Sequence, residues 1–229
     1  MPGKCKGGLR LLAVLIAVAL CGTVAAQFHR KPAVKPAAVV PAQFDYYALA
    51  LSWTPEFCAR PGAAAENPRE CAPGRNTAFV IHGLWPETKA GKGPESCPPG
   101  KKVSGAVVNF ILPYLLSPAR VQQEWATHGA CTGLTPSDYF TALLQARAAV
   151  QLPVQLTGLK ETARETPIQI ETQFAGSNPL FPEGAFRTQC RNGAFTGVLV
   201  CFDKGPRPQT CPAVAEECGP ASVEIKPPI

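Results

Sequence analysis

Eight cysteines (Cys58, Cys71, Cys97, Cys131, Cys190, Cys201, Cys211 and Cys218) follow a stretch that reads as an export signal, and no other feature restricts this chain's folds as much. Residues 1–26 carry a positive n-region (Lys4, Lys6, Arg10), an apolar run from Leu11 to Leu20, and the small Val24-Ala25-Ala26 before Gln27. That is the layout of a secretory signal peptide. The apolar run is short for a membrane span. A lipoprotein signal around Cys21 is the alternative, and bulky Leu20 speaks against it. Removing the signal takes Cys5 and Cys21 with it. An even number of cysteines in an exported chain implies a disulfide framework. A metal site is the weaker reading, because no Cys-x-x-Cys pair occurs. Spacing alone leaves the pairing open.

Such a domain matures into an oxidising compartment, periplasmic or extracellular. No later apolar run is long enough to cross a bilayer, so the mature protein is expected to be soluble and, in the simplest case, monomeric. Lys4, Lys6 and Arg10 leave with the signal, which takes 22 basic residues to 19 against 16 acidic, a net charge of +3. That mild bias suits a polyanionic ligand without demonstrating one. Residues 27–43, with Pro32, Pro36 and Pro41, read as an extended leader. His29 lies there as a solvated tail residue. Residues 44–229 then form one domain.

Within it, Asp45–Trp53 has the length and aromatic content of a buried strand, and Thr77–Ile81 reads as a second, ending at His82 where Gly83 allows a turn. Cys58 to Gly74 is a loop that Cys58 and Cys71 would staple. Lys89–Lys102 is a lysine-bearing loop. Val103–Leu116 has helical spacing, with Pro113 expected to kink or split it. Ser117-Pro118, Thr135-Pro136 and Thr166-Pro167 are helix starts, an N-cap followed by proline at the first helical position. Asn192-Gly193 between Ala185–Cys190 and Phe195–Phe202 is a hairpin signal. Cys190 and Cys201 flank that turn and could clip it, and Cys211 and Cys218 are close enough to pair. The segment 203–229 reads as irregular.

Only three histidines occur, and two sit in dense segments. One is Phe79-Val80-Ile81-His82-Gly83-Leu84-Trp85-Pro86-Glu87. The other is Gln123-Glu124-Trp125-Ala126-Thr127-His128-Gly129-Ala130-Cys131. Histidine titrates near neutrality, so two imidazoles brought together can serve as base and acid at once. Glu124 and His128, four apart, share a helix face. Trp125 packs that helix on the sheet. Either histidine alone is more simply a satisfied core residue or a member of a surface ion pair; the conjunction is what points to chemistry. A zinc site built from His82, Glu124 and His128 is the chemical rival, but no His-Glu-x-x-His is present and no further histidine completes the shell.

The two segments resemble the signatures of the ribonuclease T2 family of exported, metal-independent RNases. Phe79 to Pro86 is similar to its Phe/Thr-x-His-Gly-Leu-Trp-Pro stretch, and Glu124 to Cys131 to its Glu-Trp-x-Lys-His-Gly-Thr-Cys stretch. Leu51-Ser52-Trp53-x-Pro55-x-Phe57-Cys58 looks like the family's N-terminal strand. The resemblance covers residues 44–204 and implies an α+β fold, a largely antiparallel sheet with helices packed on it. It also implies the pairs Cys97–Cys131 and Cys190–Cys201, leaving Cys58–Cys71 and Cys211–Cys218.

For function the resemblance implies endonucleolytic cleavage of single-stranded RNA without metal or other cofactor. His128 would be the general base, His82 the general acid, and Glu124 would orient His128 or polarise the phosphate. The product would be a 2′,3′-cyclic phosphate, later hydrolysed to a 3′-phosphate. Trp85 and Glu87 would form a base pocket, the indole stacking and the carboxylate taking an exocyclic amine. The family has a histidine where this chain has Gln123 and a lysine where it has Thr127. Losing one phosphate-binding donor can cost about 10²–10³ in rate, so a weak or inactive member that binds RNA is the alternative function. A cystine-rich exported protein with no nucleic-acid role is a third.

Overall fold

The computed structural model describes residues 42–98, 102–212 and 218–229. The signal read over 1–26 and the leader read over 27–43, save Ala42 and Gln43, lie outside those residues. Ala42 donates its N–H to the Cys131 carbonyl at 3.1 Å, tying the start of the domain to the second histidine segment. The elements are β1 (Tyr46–Trp53), α1 (Thr54–Cys58), α2 (Ala63–Glu66), β2 (Phe79–Glu87), α3 (Gly105–Leu115), α4 (Pro118–Thr127), a 3-10 turn (Gly129–Thr132), α5 (Pro136–Ala149), α6 (Val154–Thr157), β3 (Ala163–Glu165), α7 (Pro167–Ser177), β4 (Phe186–Arg191), β5 (Ala194–Phe202) and β6 (Val223–Ile225). The fold is the α+β arrangement expected. Its six-stranded sheet runs β2-β1-β5-β6-β3, with β4 also on β5. Every pairing is antiparallel except β5 with β6.

One face of the sheet holds the core. Tyr47, Leu49, Leu51 and Trp53 alternate onto it from β1 and meet Val121 and Trp125 of α4, Tyr139, Phe140 and Leu143 of α5, and Phe174 of α7. Burying a Leu or Phe side chain is worth about 1.5–3 kcal/mol. That is why the helices cover this face, while a smaller cluster of Tyr46, Ala48, Cys201 and Cys211 is buried elsewhere. The helices begin where the proline signals stand: Ser117, Thr135 and Thr166 accept hydrogen bonds from the N–H groups of Arg120, Asp138 and Gln169. Each cap satisfies one orphaned donor, worth about 1 kcal/mol. Pro113 lies in the last turn of α3, which ends two residues later instead of splitting.

Three readings need correction. The strand expected to stop at His82 continues to Glu87, because a bulge rather than a turn accommodates the His-Gly step. The segment 203–229, read as irregular, contains the three-residue strand β6. Elements that short display no periodicity, and pairing partners far along the chain define them.

The third correction concerns disulfides. Cys58–Cys71 and Cys97–Cys131 form as expected, but the other pairs are Cys190–Cys218 and Cys201–Cys211, not Cys190–Cys201 and Cys211–Cys218. The hairpin register explains it. Asn192 and Gly193 both have positive φ, 52° and 77°, so the turn is the two-residue kind that matches strand twist. Cys190 therefore faces Phe195, while the Cys201 N–H reaches the Ala185 carbonyl at the hairpin's other end. Five strand residues separate those points, about 17 Å, and a disulfide tolerates a Cα separation of at most about 7 Å. The tail instead returns past both ends of the hairpin and offers one cysteine to each.

Candidate active site

The bulge decides which side chains of β2 share a face. Across β1 and β2, Ala50 pairs with Gly83 and Leu51 with Ile81, which leaves His82 as the extra residue. Without it, strict alternation would put Ile81 and Leu84 on opposite faces. With it both enter the core, and His82, Trp85 and Glu87 all line a cleft of about 1510 Å³ on the other side. Bulges recur beside active sites because they re-aim side chains in this way. Tyr139 of α5 pins the strand just past the bulge, donating its hydroxyl to the Leu84 carbonyl at 2.9 Å.

Helix α4 brings the second segment to the same place. Glu124 and His128 are 3% and 8% exposed, and His128 caps the helix, its N–H on the Glu124 carbonyl at 3.0 Å. The Glu124 carboxyl lies against Gly83 so closely that any Cβ there would overlap its Oε2. It meets two side chains: Oε1 is 3.6 Å from His82 Nε2, and Oε2 accepts the Trp85 indole N–H at 3.2 Å. The indole is stacked on His128, centroids 5.2 Å apart, and meets His82 edge-on at 5.6 Å. Trp85 thus sits between the two imidazoles and supports both. His82 Nδ1 is 2.9 Å from Ser52 Oγ, a contact that holds the ring and leaves its Nε2 toward Glu124. Glu87 accepts the Gly93 N–H and lines the cleft. The five residues singled out in the sequence are therefore brought together.

Burial dominates the electrostatics. It pushes Glu124 up to about 8, against the Trp85 hydrogen bond and the Arg120 charge, which pull it down. It holds His82 down to about 4, helped by the charges of Arg120, His128 and Arg60. His128 is also held down to about 4 by burial, with Glu95 acting the other way and Lys92 adding to it. Glu87 is raised, again by burial. Burial thus favours the neutral form of both imidazoles and the protonated form of Glu124, whose Oε1 lies 3.6 Å from His82 Nε2.

Several residues of this neighbourhood escaped the sequence reading. Ser52 shares the cleft side of an apolar strand with Tyr46, and a serine at that position of the alternation is its available signal. Arg120, 9% exposed, bridges Glu70 at 2.9 Å and Asn67 at 3.3 Å, one turn before Glu124. Arg60 lines the cleft, together with Lys92 of the lysine-bearing loop already singled out in the sequence. Thr127, where a lysine was expected, gives its carbonyl to the Ser96 N–H at 2.7 Å. Nothing local in the sequence announces these contacts, since each depends on a loop returning from far along the chain.

The comparisons with known proteins agree with the architecture. A family model described as the ribonuclease T2 family matches residues 44–211. A protein named ribonuclease from Aeromonas hydrophila is 34% identical over 126 residues, 55% of each chain. A probable ribonuclease from Haemophilus influenzae is 32% identical over 181 residues, 74% of this chain and 62% of that one. The chain thus spans a little over half of these two relatives' length. Among solved structures, an RNase-related protein from Calystegia sepium superposes with a TM-score of 0.63 at 24% identity, over 80% of this chain and 98% of that one. RNase NT in complex with 5′-AMP gives 0.62 at 20% identity, over 82% and 100%.

Proposed function

The chain belongs to the ribonuclease T2 family, and on that premise we propose that it is an exported endoribonuclease acting on single-stranded RNA without a metal. The observation that carries the reading is the packing of two imidazoles on one indole, with a buried, proton-bearing carboxyl beside them, at the floor of an open cleft.

RNA supplies its own nucleophile, the ribose 2′-OH. In the proposed reaction His128 takes the 2′ proton, the 2′ oxygen attacks phosphorus, and the bond from phosphorus to the 5′ oxygen breaks. His82, charged beforehand by the Glu124 carboxyl, protonates that leaving oxygen and is left neutral. The result is a 2′,3′-cyclic phosphate and a free 5′-OH. Water opens the cycle to a 3′-phosphate with the two histidines in exchanged roles. Positioned acid–base groups are each worth about 10²–10⁴ in rate. Arg60 supplies the positive charge that a lysine in place of Thr127 would bring, beside Lys92, which is paired with Glu95. Glu87 and the remaining face of Trp85 contact the base. The enzyme works as a monomer in the periplasm or outside the cell, and the four disulfides suit that oxidising setting.

The test is incubation of purified protein with a short RNA in EDTA, reading the product ends by mass. The expected result is a cyclic phosphate, no cleavage of DNA, and loss of turnover in His82→Ala and His128→Ala proteins. Parent and variants cutting at equal rates would overturn it. Gln123 and Thr127 favour one other reading, an RNA-binding protein of low activity. Tight binding by pure protein with no product would be its signature.

A further inference from the structure

The cleft extends well past the histidines, and its far wall is cationic. Gly83, beside the bulged His82, pairs with Ala50; Ala50 pairs with Leu199; Leu199 pairs with Arg187. His82 and Arg187 therefore lie in one cross-strand row, three strands apart, about 14 Å at the usual strand spacing. Arg191 follows four residues along β4, on the same face by strand alternation, and also lines the cleft. The row between is floored by small and neutral side chains, Ala50 and Leu199, so a chain can lie across it.

The charges along this floor are unevenly spent. Glu56 is engaged by Lys226 at 2.7 Å and Glu95 by Lys92 at 2.9 Å. Arg187 is 3.7 Å from Glu171, which also accepts the Thr188 N–H. Arg191 is exposed and, among the described residues, forms no ion pair. A stacked nucleic-acid strand advances about 3.4 Å per nucleotide, so 14 Å corresponds to about four stacked nucleotides and to fewer in an extended strand.

Resting on the ribonuclease reading, we propose that Arg187 and Arg191 form a phosphate subsite for the part of an RNA strand that continues beyond the cleaved linkage. The protein is then selective for length: it holds an oligonucleotide by its backbone at the β4 edge while the histidines act at the other edge. A dinucleotide reaches only the histidine end. The wall contacts phosphates and reads no base, so its contribution depends on salt and not on sequence.

The test uses the full mature protein and non-cleavable 2′-O-methyl oligonucleotides of two and eight nucleotides, with binding followed by fluorescence anisotropy over a salt series. Turnover of a dinucleoside monophosphate and of an unmodified octamer is measured in parallel. Arg191→Ala, whose side chain is exposed, is the primary variant; Arg187→Ala is the second. Each is expected to weaken octamer binding about tenfold, as for a charged hydrogen bond. Each should also reduce the log–log salt slope by about 0.7, the value for one single-strand phosphate contact. Dinucleotide turnover should stay at the parent rate. Equal losses for both lengths, or no loss for either, would overturn the subsite while leaving the ribonuclease reading in place. A parent that turns over neither substrate would overturn the ribonuclease reading and the subsite with it.

Discussion

Replacing Glu124 by glutamine isolates the role of its proton. The amide keeps an oxygen for the Trp85 N–H, now at 3.2 Å, and the same buried volume, so the site should stay assembled. What changes is how His82 is charged. In the parent the carboxyl lies up to about 8 and the imidazole down to about 4, a gap of about four pH units against moving the proton onto His82. Two unit charges 3.6 Å apart attract by about 4.6 kcal/mol at an effective dielectric of about 20. His82 leaves 37% of its side chain open, and solvent screening there reduces this to roughly 4 kcal/mol, about three pH units. The imidazolium–carboxylate form is then about one part in ten of the pair. It stays so across this window, because both forms hold one proton. In the glutamine variant His82 must be charged from solvent, and its imidazolium fraction falls tenfold per pH unit above about 4. The expected loss in kcat/KM is slight at pH 5, about tenfold at pH 6 and about a hundredfold at pH 7. The assay is a pH profile of dinucleoside monophosphate cleavage for both proteins. A loss of the same size at every pH from 5 to 7 would refute the shared-proton argument and leave Glu124 as a group that only positions its neighbours.

The same carboxyl should tie stability to pH. Its folded value lies above the ordinary carboxylate value, so the folded state holds the proton between about 4.5 and about 8, and this group's contribution falls as pH rises through that window. Relative to the parent, Glu124→Gln should gain on the order of a few kcal/mol between pH 5 and pH 8 in urea denaturation, and a constant difference would contradict the burial argument. Gly83→Ala forces a methyl onto the Glu124 carboxyl, so activity should drop at least a hundredfold while circular dichroism stays native-like; full activity would mean the strand and helix are further apart than described. Glu70→Gln leaves Arg120 buried without its counter-charge, which should cost about 3–5 kcal/mol, read as a Tm lower by about 6–20 °C. Non-reducing peptide mapping should recover Cys190 with Cys218 and Cys201 with Cys211; the recovery of Cys190 with Cys201 would refute the hairpin register.

Much of this protein can be read from local order in the chain. The proline-led caps at Ser117, Thr135 and Thr166, the alternation of β1 and the Asn192-Gly193 turn are interactions between residues within a few positions of each other. Backbone sterics and hydrogen bonding settle such interactions before any tertiary contact forms. The two histidine segments are legible for the same reason, since each is a run of neighbours on one element. Tertiary structure alone decided the rest. The bulge at His82 exists because β1 pairs with β2 in a register that skips one residue, and only then do His82 and Trp85 share a face. The choice of Cys218 for Cys190 follows from the hairpin holding Cys201 too far away. The Arg120–Glu70 bridge, the Ser52 contact to His82 and the sharing of one cleft by His82 and the β4 arginines join residues from distant parts of the chain. Such partners meet only when burial of the sheet's apolar face brings the helices and loops together, and no local pattern encodes which ones they will be.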